Sequence, residues 1–328
     1  MRETSWIKWC PQRTAGTMHF FLKISAGVDA MTEERVTVRD VGPRDGFQME
    51  KTFIPTDQKI AVITRLVEAG LKHVEVTSFV HPKAVPQLKD AESVVSMLPP
   101  RDDVVFSALI VNEKGLQRAV QAGIQEVQMI VSASESHCRR NVQMSISESL
   151  QQTRAVAKQA LQSGVTVRAA VAMAFGCPFD GEVQMDTIES ICNTMVESGI
   201  KQITLADTAG LANPRQVKTR LRELEIRVPG VYWGLHFHDT RGLALANIFA
   251  SIELGATMFE SSIGGLGGCP FVPGATGNVA TEDLVNMLEV MGIETGISLS
   301  RLLDVSEEVQ KTVGRLLPSK LLALTRNY

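Results

Sequence analysis

From residue 35 onward, short runs of hydrophobic and β-branched residues alternate with longer segments whose apolar residues recur at helical spacing. Eight runs have the length and composition of buried strands: 36–41, 73–77, 104–109, 126–131, 166–172, 202–206, 232–237 and 257–261. Between them, apolar residues such as Ile60, Ile63 and Val67 stand three or four positions apart, which is typical of a helix face packed on a core. Eight such units predict an α/β protein with a (β/α)8 TIM barrel.

Glycines stand where five of the predicted helices should end: Gly70, Gly123, Gly164, Gly199 and Gly255. Glycine just past a helix end adopts the left-handed conformation without steric cost. No linker rich in proline or serine interrupts the series, so residues 31–328 are predicted to form one domain. The residues after Ser298 exceed the eight units and predict extra C-terminal helices.

Residues 1–30 differ from the rest of the chain in composition. They contain two of the three tryptophans, and their basic residues outnumber their acidic ones. A mitochondrial transit peptide shares this bias, but the segment has no clear amphipathic period and little serine. We interpret it as an upstream extension, with translation from Met18 or Met31, and expect it to be poorly ordered. The expected compartment is the cytoplasm, or mitochondria if this segment is a transit peptide.

The overall composition argues against several classes of protein. A net charge of −3 provides no positive field for nucleic acid or an anionic membrane surface. No apolar run approaches the roughly 18 residues needed to span a bilayer. Five cysteines without a CxxC pair make a poor disulfide framework and indicate a reducing compartment.

Polar and ionisable residues are concentrated just after the predicted strands. Arg44 and Asp45 follow the first strand, and Glu75 lies near the end of the second. Asp207 follows the sixth strand. Because active sites of (β/α)8 barrels are built at the C-terminal ends of the strands, the pattern predicts a site at this end of the barrel.

The strongest local signal is the sequence LHFHD at residues 235–239. Alternate residues of a strand share a face, so His236 and His238 point the same way and can bind one divalent cation. The alternative is a pair of hydrogen-bonded core histidines, and the position at a strand end favours the metal site. Asp45, two strands away around the ring, would complete the ligands, with Asn278 as a further oxygen donor. This set suits Mg²⁺ or Mn²⁺ and tolerates Zn²⁺ or Co²⁺.

Three further residues each have two interpretations. The Arg44 guanidinium either neutralises an oxyanion or forms a salt bridge with a nearby acidic residue. Cys269 lies in the glycine-rich segment 264–278, whose length favours a functional loop, and its thiol is either a proton donor or incidental. His137 is placed in a polar loop, where it is structural or solvated.

Together these motifs resemble the 3-hydroxy-3-methylglutaryl-CoA lyase family, a group of TIM-barrel, metal-dependent carbon–carbon lyases. The resemblance covers about residues 36–322 and depends on five segments: VGPRDG (41–46), EVTSFV (75–80), DT (207–208), HFHD (236–239) and GGCPF through GN (267–278). It implies cleavage of 3-hydroxy-3-methylglutaryl-CoA to acetyl-CoA and acetoacetate, as in leucine degradation and ketone-body metabolism. An acyl-CoA is the implied partner, and the family suggests a homodimer.

The resemblance also implies roles for individual residues of this chain. The implied metal ligands are Asp45, His236, His238 and Asn278. The implied catalytic residues are Arg44, Glu75, Asp207, His236 and Cys269. The implied substrate-binding residues are Arg44, Glu75, Asn141, Arg168 and Thr204. In this scheme Arg44 stabilises the enolate and Cys269 takes part in proton transfer, while the base stays open among His236, Asp45 and Asp207.

One departure from the family concerns the acyl pocket. The family often has a Gly-Tyr pair after the arginine at position 168, whereas this chain has Ala169 and Ala170. Loss of the tyrosine removes bulk and a hydroxyl, so we expect a larger or less polar pocket. Alternative substrates are therefore citramalyl-CoA or a longer 3-alkyl-3-hydroxyglutaryl-CoA. A condensing acyl-CoA transferase of the same barrel group is a further alternative, and the short stretch after the last barrel helix favours the lyase.

Overall fold

The computed structural model describes residues 35–268 and 277–325, and its eight parallel strands close into one barrel. The strands are β1 (Thr37–Asp40), β2 (His73–Ser78), β3 (Val105–Leu109), β4 (Glu126–Ser132), β5 (Thr166–Ala172), β6 (Gln202–Asp207), β7 (Tyr232–Phe237) and β8 (Met258–Ser261). Each strand pairs with the one before it, and β8 pairs with β1 to complete the ring. The predicted (β/α)8 barrel is confirmed, and every predicted strand agrees with the observed one to within one residue at each end.

Helices connect the strands around the outside of the barrel. They are α1 (Thr56–Glu68), α2 (Ala91–Met97), α3 (Glu113–Ala122), α4 (Glu135–Val142), α5 (Ile146–Gln162), α6 (Met185–Glu197), α7 (Pro214–Arg227), α8 (Ala244–Ile252), α9 (Thr281–Val290), α10 (Leu299–Val313) and α11 (Lys320–Thr325). The last two follow the eighth unit, as the sequence predicts. Arg301 of α10 donates to the Glu68 carbonyl oxygen at the end of α1 over 2.7 Å, which fastens the extra helices to the first unit. Residues 1–34, including the predicted N-terminal extension, lie outside the described residues.

The hydrophobic core lies between the strands and the helices. Val74, Val127 and Leu235 alternate along their strands with residues of the barrel interior, and all three are fully buried in one continuous cluster. Leu66 and Ile248 belong to the same cluster and come from α1 and α8. The period-2 pattern of the strands therefore turns their apolar face outward to the apolar faces of the helices.

The barrel interior, in contrast, contains ion pairs. Arg39 of β1 lies 2.7 Å from Glu126 of β4, and Arg168 of β5 lies 2.6 Å from Glu260 of β8. Neither pair comes from neighbouring strands, so both contacts cross the inside of the ring. Barrels of this fold usually fill that space with branched aliphatic side chains. The charged interior is therefore a feature of this chain that needs an explanation beyond packing.

The glycine after α1 gives a test of the fold. Gly70 has a φ of +111°, and a Cβ atom there would lie 2.3 Å from the Gly296 carbonyl oxygen. We expect Gly70→Ala to lower the free energy of unfolding by about 3 kcal/mol, because backbone strain and overpacking add. The control is Gly123→Ala, at a φ of +88° with no atom within 4 Å, where only the backbone cost of about 1 kcal/mol applies. The free energy of unfolding is measured in urea. Equal decreases for Gly70→Ala and Gly123→Ala would contradict this interpretation of the packing.

Candidate active site

A tight turn after β1 carries the first site residues. The Val41 carbonyl oxygen accepts the backbone N–H groups of Arg44 and Asp45 over 3.1 and 2.7 Å, which winds residues 42–46 into a single turn. The turn lies close against the segment after β8, because a Cβ atom at Gly42 would be only 2.8 Å from Ile263 Cγ2. This close approach places Arg44 and Asp45 at the C-terminal mouth of the barrel.

The Arg44 guanidinium is held between two carboxylates. Its Nε donates to Glu75 Oε2 over 2.6 Å, and its Nη1 donates to Asp45 Oδ1 over 2.5 Å. Burial disfavours the charged guanidinium, but Glu75 and Asp45 outweigh that cost and raise the Arg44 pKa above its usual value. Burial raises the Asp45 pKa, yet Arg44 and the two nearby histidines outweigh it and hold that pKa below its usual range. Arg44 and Asp45 are therefore both charged at neutral pH, and the salt-bridge interpretation of Arg44 describes its observed contacts.

Asp45, His236 and His238 converge on one point. One ligand atom from each side chain lies within 4.8 Å of the other two. The Nε2 atoms of the two histidines are 3.1 Å apart. Burial and the neighbouring His236 lower the His238 pKa to about 3, so that imidazole is neutral, which is the form that binds cations.

Asn278 joins this cluster from the segment before α9. Residue 278 forms an antiparallel bridge with residue 238, which brings its side chain beside the histidines. The Asn278 Nδ2 donates to Asp45 Oδ2 over 2.8 Å, so its amide is oriented. Asn278 Oδ1 and His238 Nδ1 are buried and have no hydrogen-bond partner in the described part of the chain.

These donors fit a divalent cation. One carboxylate, two imidazoles and an amide oxygen are the ligand types that Mn²⁺ or Mg²⁺ accepts together with water or substrate oxygens. Buried polar atoms without a partner are rare, and a cation at this position would account for the unpartnered Asn278 Oδ1. The geometry thus supports the predicted ligands, and the identity of the ion stays a prediction.

A cavity of about 420 Å³ opens beside this cluster. Its polar wall includes Arg44, Asp45, His236 and His238. Its apolar wall is built from Leu109, Ile130, Ala170, Ala172 and Ala206. The volume suits a small acyl group, and the reactive side chains are confined to one part of the surface.

The structure separates the other predicted site residues into two groups. Asn141, on α4, is exposed and lines the cavity. Arg168 and Thr204 are fully buried and do not line it; both contact Glu260 instead. Glu75 is also beneath the cavity surface and reaches the site through Arg44. Asn141 can therefore contact a substrate in the cavity directly, whereas Arg168, Thr204 and Glu75 cannot in the observed conformation.

Asp207 faces the loop after β6. Its two carboxylate oxygens accept the backbone N–H groups of Leu211 and Ala212 over 2.7 and 3.1 Å. Burial raises its pKa to about 6, against the opposing effect of these hydrogen bonds. Cys269, the predicted proton donor, lies outside the described residues.

Sequence reasoning missed three residues at the site. His137 lies in α4 with 3% of its surface exposed and lines the cavity, so its placement in a polar loop is wrong. A strong N-cap explains the helix, because Ser134 Oγ accepts the His137 backbone N–H. Gln128 and Glu260 also line the cavity from the strands. An acidic or amide residue inside a predicted buried strand is the signal that would have identified both.

The fold and the site together define a (β/α)8-barrel protein with a candidate divalent-metal centre at the C-terminal mouth. Residues 35–309 match the family described as HMGL-like, and the chain belongs to this family.

Its relatives are named lyases. The chain is 43% identical over 294 residues to the hydroxymethylglutaryl-CoA lyase YngG of Bacillus subtilis (strain 168), covering 90% of this chain and 98% of that protein. A crystal structure of the Bacillus subtilis HMG-CoA lyase aligns with a TM-score of 0.87, covering 90% of this chain and 99% of that one. An Acinetobacter baumannii HMG-CoA lyase in complex with coenzyme A and 3-methylmalate aligns with a TM-score of 0.85 at 42% identity, covering 89% and 96%. Relatives include proteins named as mitochondrial and as cytoplasmic forms.

Removal of one imidazole tests the metal centre. We expect His238→Ala to lower the affinity for Mn²⁺ by more than about 100-fold, because a direct ligand is lost from the cluster. The matched control is His73→Ala, which removes a half-buried imidazole that contacts Arg39 and lies outside the cluster. Binding is measured from the electron paramagnetic resonance signal of free Mn²⁺. Retention of parental affinity by His238→Ala would rule out the assigned ligands.

Proposed function

We propose that this protein is a divalent-metal-dependent lyase that cleaves 3-hydroxy-3-methylglutaryl-CoA to acetyl-CoA and acetoacetate. The observation that carries the proposal is the convergence of Asp45, His236 and His238 beside the charged Arg44 in one cavity. Family membership supports it, because the relatives named above are hydroxymethylglutaryl-CoA lyases. Lyase chemistry is thus the activity with which both the site and the family agree.

The reaction breaks the bond between C2 and C3 of the acyl group. The C3 hydroxyl loses its proton and becomes the ketone of acetoacetate, while the bonding electron pair leaves on C2 as the enolate of acetyl-CoA. A proton delivered to C2 then completes the thioester product. The protein therefore has to accept one proton, stabilise one developing negative charge and supply one proton.

Arg44 is positioned to stabilise the enolate. Its guanidinium lines the cavity, and Glu75 and Asp45 fix it from two sides before substrate arrives. Preorganised charge of this kind needs no reorganisation during the reaction, which makes it effective. A divalent cation held by Asp45, His236, His238 and Asn278 would add Lewis-acid chemistry at the substrate oxygens.

The candidate proton-transfer groups differ in their position relative to the cavity. Asp45 and His236 line the cavity, whereas Asp207 does not line it. Burial raises the pKa of Asp207 to about 6, and this residue stays among the three candidate bases. Cys269 remains the proposed proton donor to C2.

The proposal also includes an acyl-CoA partner, a compartment and an assembly. The coenzyme A complex of the Acinetobacter baumannii relative supports an acyl-CoA substrate here. No helix among the described residues is long and apolar enough to cross a membrane. We keep the cytoplasm as the proposed compartment, mitochondria as its alternative, and a homodimer as the proposed assembly.

A coupled assay tests the activity and its dependence on metal. We expect purified protein to release acetoacetate from 3-hydroxy-3-methylglutaryl-CoA, to lose activity in EDTA and to regain it with Mn²⁺. Arg44→Lys should lower kcat by about 10²–10³-fold, because a single ammonium cannot hold the geometry of the guanidinium fork. Arg139→Lys, on the exposed side of α4, is the control and should match the parent. Turnover that survives both EDTA and Arg44→Lys would refute the lyase mechanism.

The apolar wall of the cavity favours a second candidate substrate. Ala170, Ala172 and Ala206 present only methyl groups to the cavity, and no hydroxyl or charge lies on those three positions. A methyl-lined wall leaves room for an alkyl group larger than the methyl of 3-hydroxy-3-methylglutaryl-CoA. A longer 3-alkyl-3-hydroxyglutaryl-CoA is therefore the alternative that the structure supports, with the same chemistry at C2 and C3.

A substitution that fills this wall distinguishes the two substrates. We expect Ala170→Tyr to lower kcat/KM for a longer 3-alkyl thioester by at least about 10-fold, because the ring occupies space the alkyl chain needs. The same variant should change kcat/KM for 3-hydroxy-3-methylglutaryl-CoA by less than about 3-fold, which is well below the loss expected for the longer thioester. Ala172→Ser, which adds one hydroxyl and little volume, is the control. Equal effects of Ala170→Tyr on both thioesters would contradict the larger-substrate alternative.

A further inference from the structure

Glu260 lies directly beside a proposed metal ligand. It comes from β8, in register with His236 on the neighbouring strand β7. Its Oε2 lies 2.9 Å from His236 Nδ1, within hydrogen-bond distance. Glu260 is 2% exposed, so its carboxylate has little access to water and depends on protein partners.

The second oxygen of Glu260 is fixed from the other side. Glu260 Oε1 accepts a hydrogen bond from Arg168 Nη1 over 2.6 Å and one from Thr204 Oγ1 over 3.2 Å. Arg168 Nε is in turn 3.3 Å from Glu126, which pairs with Arg39 at 2.7 Å. This chain of ion pairs runs from β1 through β4 and β5 to β8, and it ends on the imidazole of His236.

The contacts of Glu260 suit an ionised carboxylate, which accepts hydrogen bonds. The Arg168 guanidinium lies 2.6 Å from Glu260 Oε1 and balances the charge of an ionised carboxylate there. An ionised carboxylate offers only acceptor oxygens, so the hydrogen at this contact belongs to His236 Nδ1. In the neutral imidazole, Nε2 then carries the lone pair, and it lies 3.1 Å from His238 Nε2.

We propose that Glu260 is a positioning residue of the metal centre: its carboxylate accepts the Nδ1–H of His236 and holds Nε2 as the atom that faces the cation. This proposal rests on the metal centre described under the proposed function. Carboxylate partners of metal-binding histidines fix the tautomer and ring orientation and increase ligand basicity. Arg168 and Thr204, which lie beneath the cavity, act one step further away by holding Glu260.

A purely structural role is the competing explanation. Glu260 neutralises part of a buried ion-pair chain, and removal of any member of that chain should destabilise the barrel. Glu126 provides the matched control. It is buried in the same series of ion pairs and contacts Arg168 and Arg39, and within the described part of the protein it forms no hydrogen bond or ion pair with His236 or His238. A structural role predicts that both positions affect stability alone.

Three variants of the full chain separate these roles: Glu260→Gln, Glu260→Asp and Glu126→Gln. Glutamine keeps the shape and removes the charge, whereas aspartate keeps the charge and withdraws the carboxylate from Nδ1. For each variant we would measure the affinity for Mn²⁺ from the signal of free ion, the ring ¹⁵N shifts of labelled histidines without metal, and the thermal midpoint. The His236 signals are assigned by their loss in His236→Gln.

We expect Glu260→Gln to weaken Mn²⁺ binding by roughly 10–100-fold and to shift the His236 ring nitrogens away from the Nδ1–H tautomer. Glu260→Asp should give a smaller loss of affinity with a near-parental midpoint. Raised Mn²⁺ concentration should restore part of the lost turnover in both variants. Glu126→Gln should lower the thermal midpoint. It should leave the affinity for Mn²⁺ within about two-fold of the parent and the His236 ring shifts unchanged, because Glu126 is not hydrogen-bonded to a metal ligand.

Two results would overturn the proposal. The first is a folded Glu260→Gln that keeps parental Mn²⁺ affinity and parental His236 shifts. If Glu260→Gln does not fold, the same result in Glu260→Asp is decisive against it. The second is an equal loss of affinity in Glu126→Gln, which would assign the effect to the barrel interior as a whole. Failure of the metal centre itself is recognised separately, because then the parent protein and His238→Ala would bind Mn²⁺ equally weakly.

Discussion

Closure of the barrel by β8 is the constraint on which the site depends. β8 pairs with β1 on one side and with β7 on the other, so the turn after β1 and the two histidines at the end of β7 come to the same sector of the mouth. Asp45 and Asn278, 233 positions apart in sequence, can then form a hydrogen bond. A parallel barrel also places every strand end at the same face, which is why side chains from several strands can meet in one cavity.

The charged interior serves this arrangement more than it serves stability. Burying ions costs desolvation free energy, and well-packed apolar residues in their place are often neutral or stabilising. In this barrel, Arg39 and Arg168 balance Glu126 and Glu260, and the chain of contacts ends at a proposed metal ligand. Arg44 is held in the same way by Glu75 from below. The directional contacts of ions orient the site groups, which aliphatic packing cannot do as specifically.

The cavity combines this oriented polar wall with a wall of methyl groups. Apolar surroundings reduce the effective dielectric constant, so the charge on Arg44 acts more strongly on a developing enolate than it would in water. The small side chains at Ala170 and Ala172 give the same cavity additional room. The reaction type therefore depends on the polar wall, while the choice of acyl group depends on the apolar wall.

Local sequence patterns determined the strands and the helix ends, and they placed the reactive residues at the mouth. The alternation of residues in a strand also showed that His236 and His238 share a face. Only the tertiary structure decided that Glu260 meets His236, that Arg168 lies under the cavity, and that both Asp207 oxygens bind the following loop. Alternation assigns a side chain to the inside or the outside of a strand, but its partner depends on how the strands are staggered around the closed ring. That stagger is set by packing among all eight units, so no single stretch of sequence contains it.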